Sequence, residues 1–292
     1  MRRFALAAVI ACSGSVLILA QHSPQVPEPG MGGIHWARGH QPPRAGLYGG
    51  RSPNLTWHRG PVMHGTVVEP IFWGPSWSTY SGDEISGLQT FYAGIGGSNY
   101  AITNTEYTDG GHVSPAVSLG ATYFDSSTAS SGSSTSAVLA AVCRNVINPV
   151  PNGYYPVHTD RPRGNAGFCA WHSAGTCANG VTVQFGFFFK PDGDWGCDPE
   201  DASGLHSEGL AAQVNVGGHE LSEMLTDPHL NAWYDFRGDE NADKCAWRFG
   251  PSLLTFPNGS QWKIQGNWSN SAYSSGTGFP NSSGQKGCID GN

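Results

Sequence analysis

The segment 207–226 constrains the fold most, because it has the spacing of a helix that is apolar on two opposite sides. One side carries a stripe of large apolar residues at 100° per residue: Leu210, Val214, Leu221 and Leu225. The other side carries Ala212 and Val216 together with His219 and Glu223. The pattern therefore predicts a helix that forms the wall of a cleft, and Asp227-Pro228 ends it.

Residues 219–223 of this helix read His-Glu-Leu-Ser-Glu. His219 and Glu223 are one helical turn apart on one face, the spacing with which a helix presents two ligands to one metal ion. Glu220 then stands where a general base accepts a proton from water on the metal, as in the H-E-x-x-H sites of metallopeptidases. Glu223 replaces the second histidine of those sites with another ligand type that zinc accepts.

A catalytic zinc ion needs three protein ligands and an open position. We expect Glu240 to be the third ligand, because Glu240 and Asp243 are spaced similarly to the downstream Glu and supporting Asp of gluzincin peptidases. Asp243 itself, Asp227 and Asp235 are competing ligands, although Asp227 precedes Pro228 and is also placed to close a turn. Tyr234 is a candidate hydrogen-bond donor to an oxyanion.

Calcium is the alternative ion, since the acidic stretch after the helix offers oxygen ligands. A further alternative is that His219 and the two acids beside it are ordinary solvated side chains that bind no metal.

The first twenty residues have the pattern of a secretory signal: Arg2 and Arg3 precede a largely apolar run, and the polar Gln21 follows it. A lipid anchor at Cys12 is the alternative, because residues 9–12 resemble a lipobox. No later run reaches the roughly 18 apolar residues that span a membrane. The sequence thus predicts an exported chain without a transmembrane segment.

Loss of the two signal-segment arginines leaves 13 basic residues against 22 acidic ones, a formal charge of −9. An acidic chain without a basic cluster is a poor candidate for binding nucleic acid. Residues 21–53 are rich in Pro and Gly without an apolar period, which predicts a linker that does not fold. We expect a single domain over 54–292.

Six cysteines follow the signal segment: Cys143, Cys169, Cys177, Cys197, Cys245 and Cys288. An even number in an exported chain indicates up to three disulfides, with fifteen possible connectivities. Because the tail lacks its own core, we predict that Cys288 anchors it to Cys245. The remaining pairs come from the other four cysteines, and we expect Cys169 and Cys177 to close a short loop.

Strand and helix patterns alternate along the chain, which predicts a mixed α/β fold. Strands are expected at 66–73, 117–124, 154–158 and 181–189, and helices at 84–95 and 134–147. A hairpin is expected at 252–262 around Asn258-Gly259. The tail from Gly266 onward is rich in Gly, Ser and Asn and is expected to wrap the surface.

Several stretches together resemble the phosphate-induced protein 1 (EXORDIUM-like) family. They are GPVMHG at 60–65, VVEPIFWG at 67–74, FCAWHS at 168–173, GHELSE at 218–223, TDP at 226–228, NAWYD at 231–235 and ENADKC at 240–245. The resemblance covers roughly 54–290 and implies an extracellular protein, linked in plants to cell walls and growth, without a settled biochemical activity. The Pro/Gly-rich leader and the tail depart from the plant pattern, so the plant role does not transfer.

The combined prediction is a disulfide-bonded α/β domain of zincin-like character, with a twisted mixed sheet and a metal-motif helix beneath its edge. The predicted reaction is zinc-dependent hydrolysis of a peptide or related amide bond. The alternative is a non-catalytic extracellular protein that contacts cell-wall polysaccharide and holds a structural metal ion.

Overall fold

The computed structural model describes residues 30–42 and 51–292, so the predicted signal segment 1–20 lies outside the described residues. The strands are β1 (Gly32–Trp36), β2 (Thr56–Trp57), β3 (Thr66–Val68), β4 (Ile71–Trp73), β5 (Val117–Leu119), β6 (Tyr123–Asp125), β7 (Gly153–Thr159), β8 (Phe168–Thr176), β9 (Thr182–Phe188), β10 (Trp233–Tyr234), β11 (Leu254–Thr255), β12 (Gln261–Trp262), β13 (Asn267–Trp268), β14 (Phe279–Pro280) and β15 (Lys286–Ile289). The α-helices are α1 (Glu84–Gly94), α2 (Asn99–Ile102), α3 (Thr135–Asn145), α4 (Glu208–Thr226) and α5 (Asn270–Ser275).

Eight strands form one mixed sheet. Six of them follow the order β1-β8-β9-β7-β3-β5, β4 also pairs with β7, and β6 pairs with β4. The strands from β9 to β5 run parallel to their neighbours. β8 is antiparallel to β9, and the edge strand β1 is antiparallel to β8. The predicted mixed α/β class is therefore confirmed at this level.

Helices cover both faces of the sheet. α1 and α4 pack in one core, and α3 packs in the other. Tyr154 and Tyr155 are neighbours on β7 but belong to different cores, because successive side chains of a strand point to opposite faces. This alternation also divides β8, where Trp171 joins the α3 side.

Helix α4 matches its predicted bounds. The side chain of Ser207 accepts a hydrogen bond from the N–H of Leu210 at 3.1 Å and caps the helix, which ends before Asp227-Pro228. Every residue from Gly209 to Thr226 is buried. The helix is thus enclosed on all sides, because the sheet lies against one side while α1 and the C-terminal region lie against others.

Two predicted strands are interrupted. The segment 66–73 forms β3 and β4, because Pro70 has no N–H to donate to the ladder. The segment 117–124 likewise forms β5 and β6. The predicted hairpin around Asn258-Gly259 is confirmed by the antiparallel pair β11–β12.

The structure differs from the expected linker at 21–53, because Gly32–Trp36 forms the edge strand of the main sheet. The tail also differs from a surface wrap: it forms the small sheet β13-β15-β14 and buries Trp268 in the main core. Pairing with the distant strand β8 orders Gly32–Trp36, although the composition around this strand is poor in apolar residues.

The disulfides join Cys143 to Cys177, Cys169 to Cys197 and Cys245 to Cys288. The predicted Cys245–Cys288 pair is confirmed. The predicted Cys169–Cys177 pair is wrong, because these residues lie at opposite ends of β8. Eight residues of extended chain separate them by roughly 26 Å, at about 3.3 Å per residue, so no short loop exists.

Within the described ranges, no helix combines the length and the apolar character needed to cross a bilayer.

Candidate metal centre

Helix α4 places His219 and Glu223 side by side, as its periodicity predicts. His219 Nε2 lies 3.2 Å from Glu223 Oε1 and 3.6 Å from Asp243 Oδ1. The three residues form a group whose ligand atoms all lie within 4.8 Å of one another. A group of one histidine and two carboxylates that could hold a metal ion is therefore present.

Asp243 reaches this group because a short 3-10 turn, Asp243–Cys245, folds back onto α4. The backbone N–H of Asp243 donates to Glu223 Oε1 at 2.8 Å. The Cys245–Cys288 disulfide holds the end of the same turn. This disulfide therefore also helps to position Asp243, a candidate ligand.

Glu240, the expected third ligand, lies beside a different histidine. His172 Nε2 on β8 is 3.3 Å from Glu240 Oε1 and 3.8 Å from Glu223 Oε2. His172, Glu220 and Glu223 form a second group with ligand atoms within 4.8 Å of one another. The structure therefore brings Asp243 into the group of His219, and places Glu240 next to His172.

Several carboxylate oxygens in the cluster lack hydrogen-bond partners among the described residues. They are both oxygens of Glu220, Oε2 of Glu223 and Oε2 of Glu240. An unpaired buried polar atom costs free energy comparable to a lost hydrogen bond, and more for a charged group. A cation bound in this cluster would offset part of that cost.

The pKa values of the metal-free cluster also show that its carboxylates are poorly compensated. Burial raises the pKa of Glu220, Glu223 and Glu240 well above the usual carboxyl range, and the neighbouring acids add to the rise for Glu220 and Glu240. Burial lowers the pKa of His172 and of His219 to about 3. The histidines are thus neutral at physiological pH, as metal ligands must be.

Gln265 connects His219 to the N-terminal strand. Its side-chain N–H groups donate to Ala242 O at 2.8 Å and to His219 Nδ1 at 3.0 Å. Its oxygen accepts from the backbone N–H of Trp247 at 3.2 Å and lies 3.0 Å from His35 Nε2. Because Nδ1 accepts, the neutral His219 ring carries its proton on Nε2, toward Glu223.

Strand β1 closes the cluster from outside. His219, Glu220, Glu223 and His172 are each 0 % exposed. A Cβ atom at Gly33 would lie 2.1 Å from Glu223 Oε2 and 2.3 Å from His172 Nε2, so only glycine fits there. Gly33 also has φ +48°, in the left-handed region that favours glycine.

The other predicted site residues have structural partners. Asp227 Oδ1 accepts from the N–H groups of Asn231 and Ala232 at 2.6 and 2.7 Å, so this side chain closes the turn after α4. Asp235 Oδ2 accepts from Lys244 Nζ at 2.7 Å. The ring of Tyr234 stacks on His58 at 3.7 Å, and Tyr234 belongs to neither ligand group.

Sequence reasoning did not place His35, Gly33, Gln265 or His172 in the site. A signal for His172 exists in 168–173, where alternation places His172 and Ala170 on the face opposite Trp171. No local pattern marks Gln265 or His35, because neither lies in a segment with a clear apolar period.

Comparison with known proteins gives no assignment, since no family model, no curated protein and no solved structure matches the chain. The resemblance to the EXORDIUM-like family remains a prediction that rests on its motifs alone.

Proposed function

We propose that this chain is an exported, zinc-dependent hydrolase of peptide or related amide bonds. The observation that carries the proposal is the His219–Glu223–Asp243 group with the unpaired carboxylate of Glu220 beside it. Three disulfides support export, because such bonds persist in oxidising compartments. The zincin-like character of the fold is part of this proposal, supported by a mixed sheet that packs on α4.

The side chains fit zinc in type and number. Zinc accepts histidine nitrogen and carboxylate oxygen, and a catalytic site uses three protein ligands. Glu220, Glu223, Glu240 and Asp243 bring four carboxylates into one buried cluster, whose charge a divalent cation would offset. Ligation through His219 Nε2 requires the ring proton to move to Nδ1 and the amide of Gln265 to turn over.

When bound, zinc would act as a Lewis acid and acidify a water molecule. Glu220 would accept the proton of that water and return it to the leaving amine. Burial, together with the charges of Glu223 and Asp243, raises the pKa of the Glu220 carboxyl well above its usual range in the metal-free chain. Tyr234 has no role in this scheme.

Metal stoichiometry and peptidase assays on three variants test the proposal. Glu220→Gln should retain the metal and lose hydrolysis, because an amide keeps the size but cannot accept the proton. His219→Ala and Glu223→Ala should lose the metal, since each removes a ligand. Retention of zinc by His219→Ala would refute the site.

Glu84→Gln is the matched control for Glu220→Gln. Glu84 is a buried acid on α1, but its Oε1 accepts from Lys190 Nζ at 2.8 Å and from Tyr80 OH at 2.9 Å. This variant should leave both zinc content and hydrolysis unchanged.

A second candidate function is a non-catalytic cell-wall protein with a structural ion. The burial of Glu220, Glu223 and Glu240 and the presence of four carboxylates in the cluster favour it, because calcium prefers oxygen ligands. Under this alternative the purified protein holds calcium. Glu220→Gln then lowers the affinity for the metal, and no hydrolytic activity is present to be lost.

A further inference from the structure

The burial of the metal centre is a problem for any enzyme, because a peptide substrate must reach the catalytic groups. Glu240 is 4 % exposed, and the histidines and glutamates around it are fully buried. On the side of β8, strand β1 covers the ligands. Gly33 lies against Glu223 and His172, and the ring of His35 lies against that of His219.

β1 lies across the centre as an extended chain. It pairs antiparallel with β8, with Gly32 opposite His172 and His35 opposite Ala170. Gly33 and Ile34 of β1 therefore face the single residue Trp171 of β8, a bulge that brings Gly33 close to Glu223 and His172. The ring of His35 lies edge-on to His219, with centroids 4.3 Å apart. A substrate backbone would need this same position to be attacked.

β1 is one of the edge strands of the main sheet, so its displacement would remove a single strand pairing, that with β8. Along the chain, residues 43–50 link the described segment 30–42 to the described residues 51–292. Contacts outside the centre hold it: Ser173 Oγ donates to Gly30 O at 2.5 Å, and the guanidinium of Arg38 donates to Asp198 O at 3.0 and 3.2 Å.

We propose that the edge of β8 beside the metal centre is a binding groove for extended peptides, and that Gly32–Trp36 is an internal occupant that keeps the centre closed until it is displaced. This inference rests on the proposed function and adds the substrate class and its regulation. Pairing with an exposed strand edge selects an extended polypeptide backbone, since a polysaccharide has no regular row of N–H and C=O groups to pair.

The main test uses the full chain with the recognition sequence of a specific protease in place of 43–50. After cutting, labelled synthetic peptide 30–42 is added in excess. The peptide should exchange into the groove. In a cut sample without added peptide, dissociation of the native segment should expose the centre to chelators and to peptide substrates. A peptide with Gly33→Ala should bind at least about tenfold more weakly, because its methyl group would collide with Glu223 and His172.

The matched control carries the same recognition sequence in the exposed turn 178–180, at the far end of β8. Cutting there should change neither peptide binding nor chelator access. The inference is overturned if 30–42 does not exchange, or if its displacement unfolds the domain by circular dichroism.

A test in the intact chain compares Arg38→Ala with Arg161→Ala. Each removes a guanidinium that donates to a backbone carbonyl, that of Asp198 and that of Ala129 respectively. Arg38→Ala should speed metal removal by a chelator about tenfold, while Arg161→Ala should leave it unchanged. Equal rates in the two variants would contradict the inference.

The two proposals fail separately. A cut chain that binds peptide 30–42 but holds no metal would refute the metal centre and leave the groove standing. A chain that holds zinc but neither exchanges the segment nor gains activity on cutting would refute the groove alone.

Discussion

Helix α4 contributes to two buried polar clusters that differ in how their hydrogen bonds are satisfied. Near its beginning, Gln213 Oε1 lies 2.9 Å from His158 Nδ1, the Gln213 side-chain N–H donates to Phe189 O at 2.7 Å, and Tyr92 OH lies 3.2 Å from His158 Nε2. Both ring nitrogens of His158 therefore have partners. Nearly three turns later, the cluster around Glu223 leaves several carboxylate oxygens without hydrogen-bond partners among the described residues.

The difference separates a structural network from a candidate binding site. The His158 cluster is neutral and complete, so it needs no ligand and serves the packing of α4 on the sheet. The Glu223 cluster brings like charges together in a buried place, which a folded protein tolerates only with a compensating charge or at a cost in stability. The following experiments probe that contrast, from the largest expected effect to the smallest.

Zinc should stabilise the protein only through the unpaired cluster. At about 1,000 times its Kd, a metal that binds the native state alone adds about 4 kcal/mol to the free energy of unfolding. Denaturant unfolding with and without zinc measures this gain. Glu223→Ala should abolish this zinc-dependent gain, and His158→Gln should keep it. The same gain in both variants would contradict the distinction between a metal-binding cluster around Glu223 and a structural cluster around His158.

The His158 cluster should govern an acid-dependent loss of stability. Burial lowers the pKa of His158 to about 4, below the value of 6.5 for the free side chain. The neutral form is favoured in the fold, so this stability is present above pH 6.5 and is lost as the pH falls through 4, by roughly 3 kcal/mol.

The measurement is the difference in unfolding free energy between the wild type and His158→Gln across that pH range. The contributions of the other histidines, which both proteins share, cancel in this difference. A difference that does not change with pH would contradict the assignment.

Gln213→Ala should destabilise the protein by about 2 kcal/mol, because it leaves His158 Nδ1 and Phe189 O without partners. Zinc affinity should not change. Calorimetric zinc titration of this variant checks the point, and a weakened affinity would mean that α4 couples the two clusters.

Glu220→Gln should stabilise the metal-free protein by roughly 1 kcal/mol near pH 7, since it replaces a fully buried carboxylate with a neutral group of the same size. Its raised pKa means that the wild type loses stability as the pH rises above the usual carboxyl range, and the amide does not. Unfolding in the presence of a chelator measures the effect. A destabilised variant would indicate that Glu220 has a partner in solution.

Local signals in the sequence predicted the parts of the fold that form by local interactions. Ser207 and Asp227-Pro228 mark the ends of α4 because capping and the missing proline N–H act over a few residues. Asn258-Gly259 marks its hairpin for the same reason. β1 carries no such signal, because it becomes ordered only by pairing with β8, more than 130 residues later in the chain.

The cysteines show the same limit. The need of a tail without its own core for an anchor predicts the pairing of Cys288 with Cys245, and the structure contains this bond. Cys169 was expected to bond Cys177 because β8 was not recognised as a strand. In the extended strand β8, Cys169 lies near one end and bonds Cys197. Cys177 follows the other end and bonds Cys143.

The sequence by itself determined that His219, Glu220 and Glu223 share one stretch of helix, since a period of 3.6 residues is a local property of the backbone. The tertiary structure alone decided what surrounds them. The sheet order brings His172 to the centre, the folded-back turn brings Asp243, and β1 covers both groups. Contacts between residues distant in the chain depend on the packing of the whole domain, which no short pattern encodes.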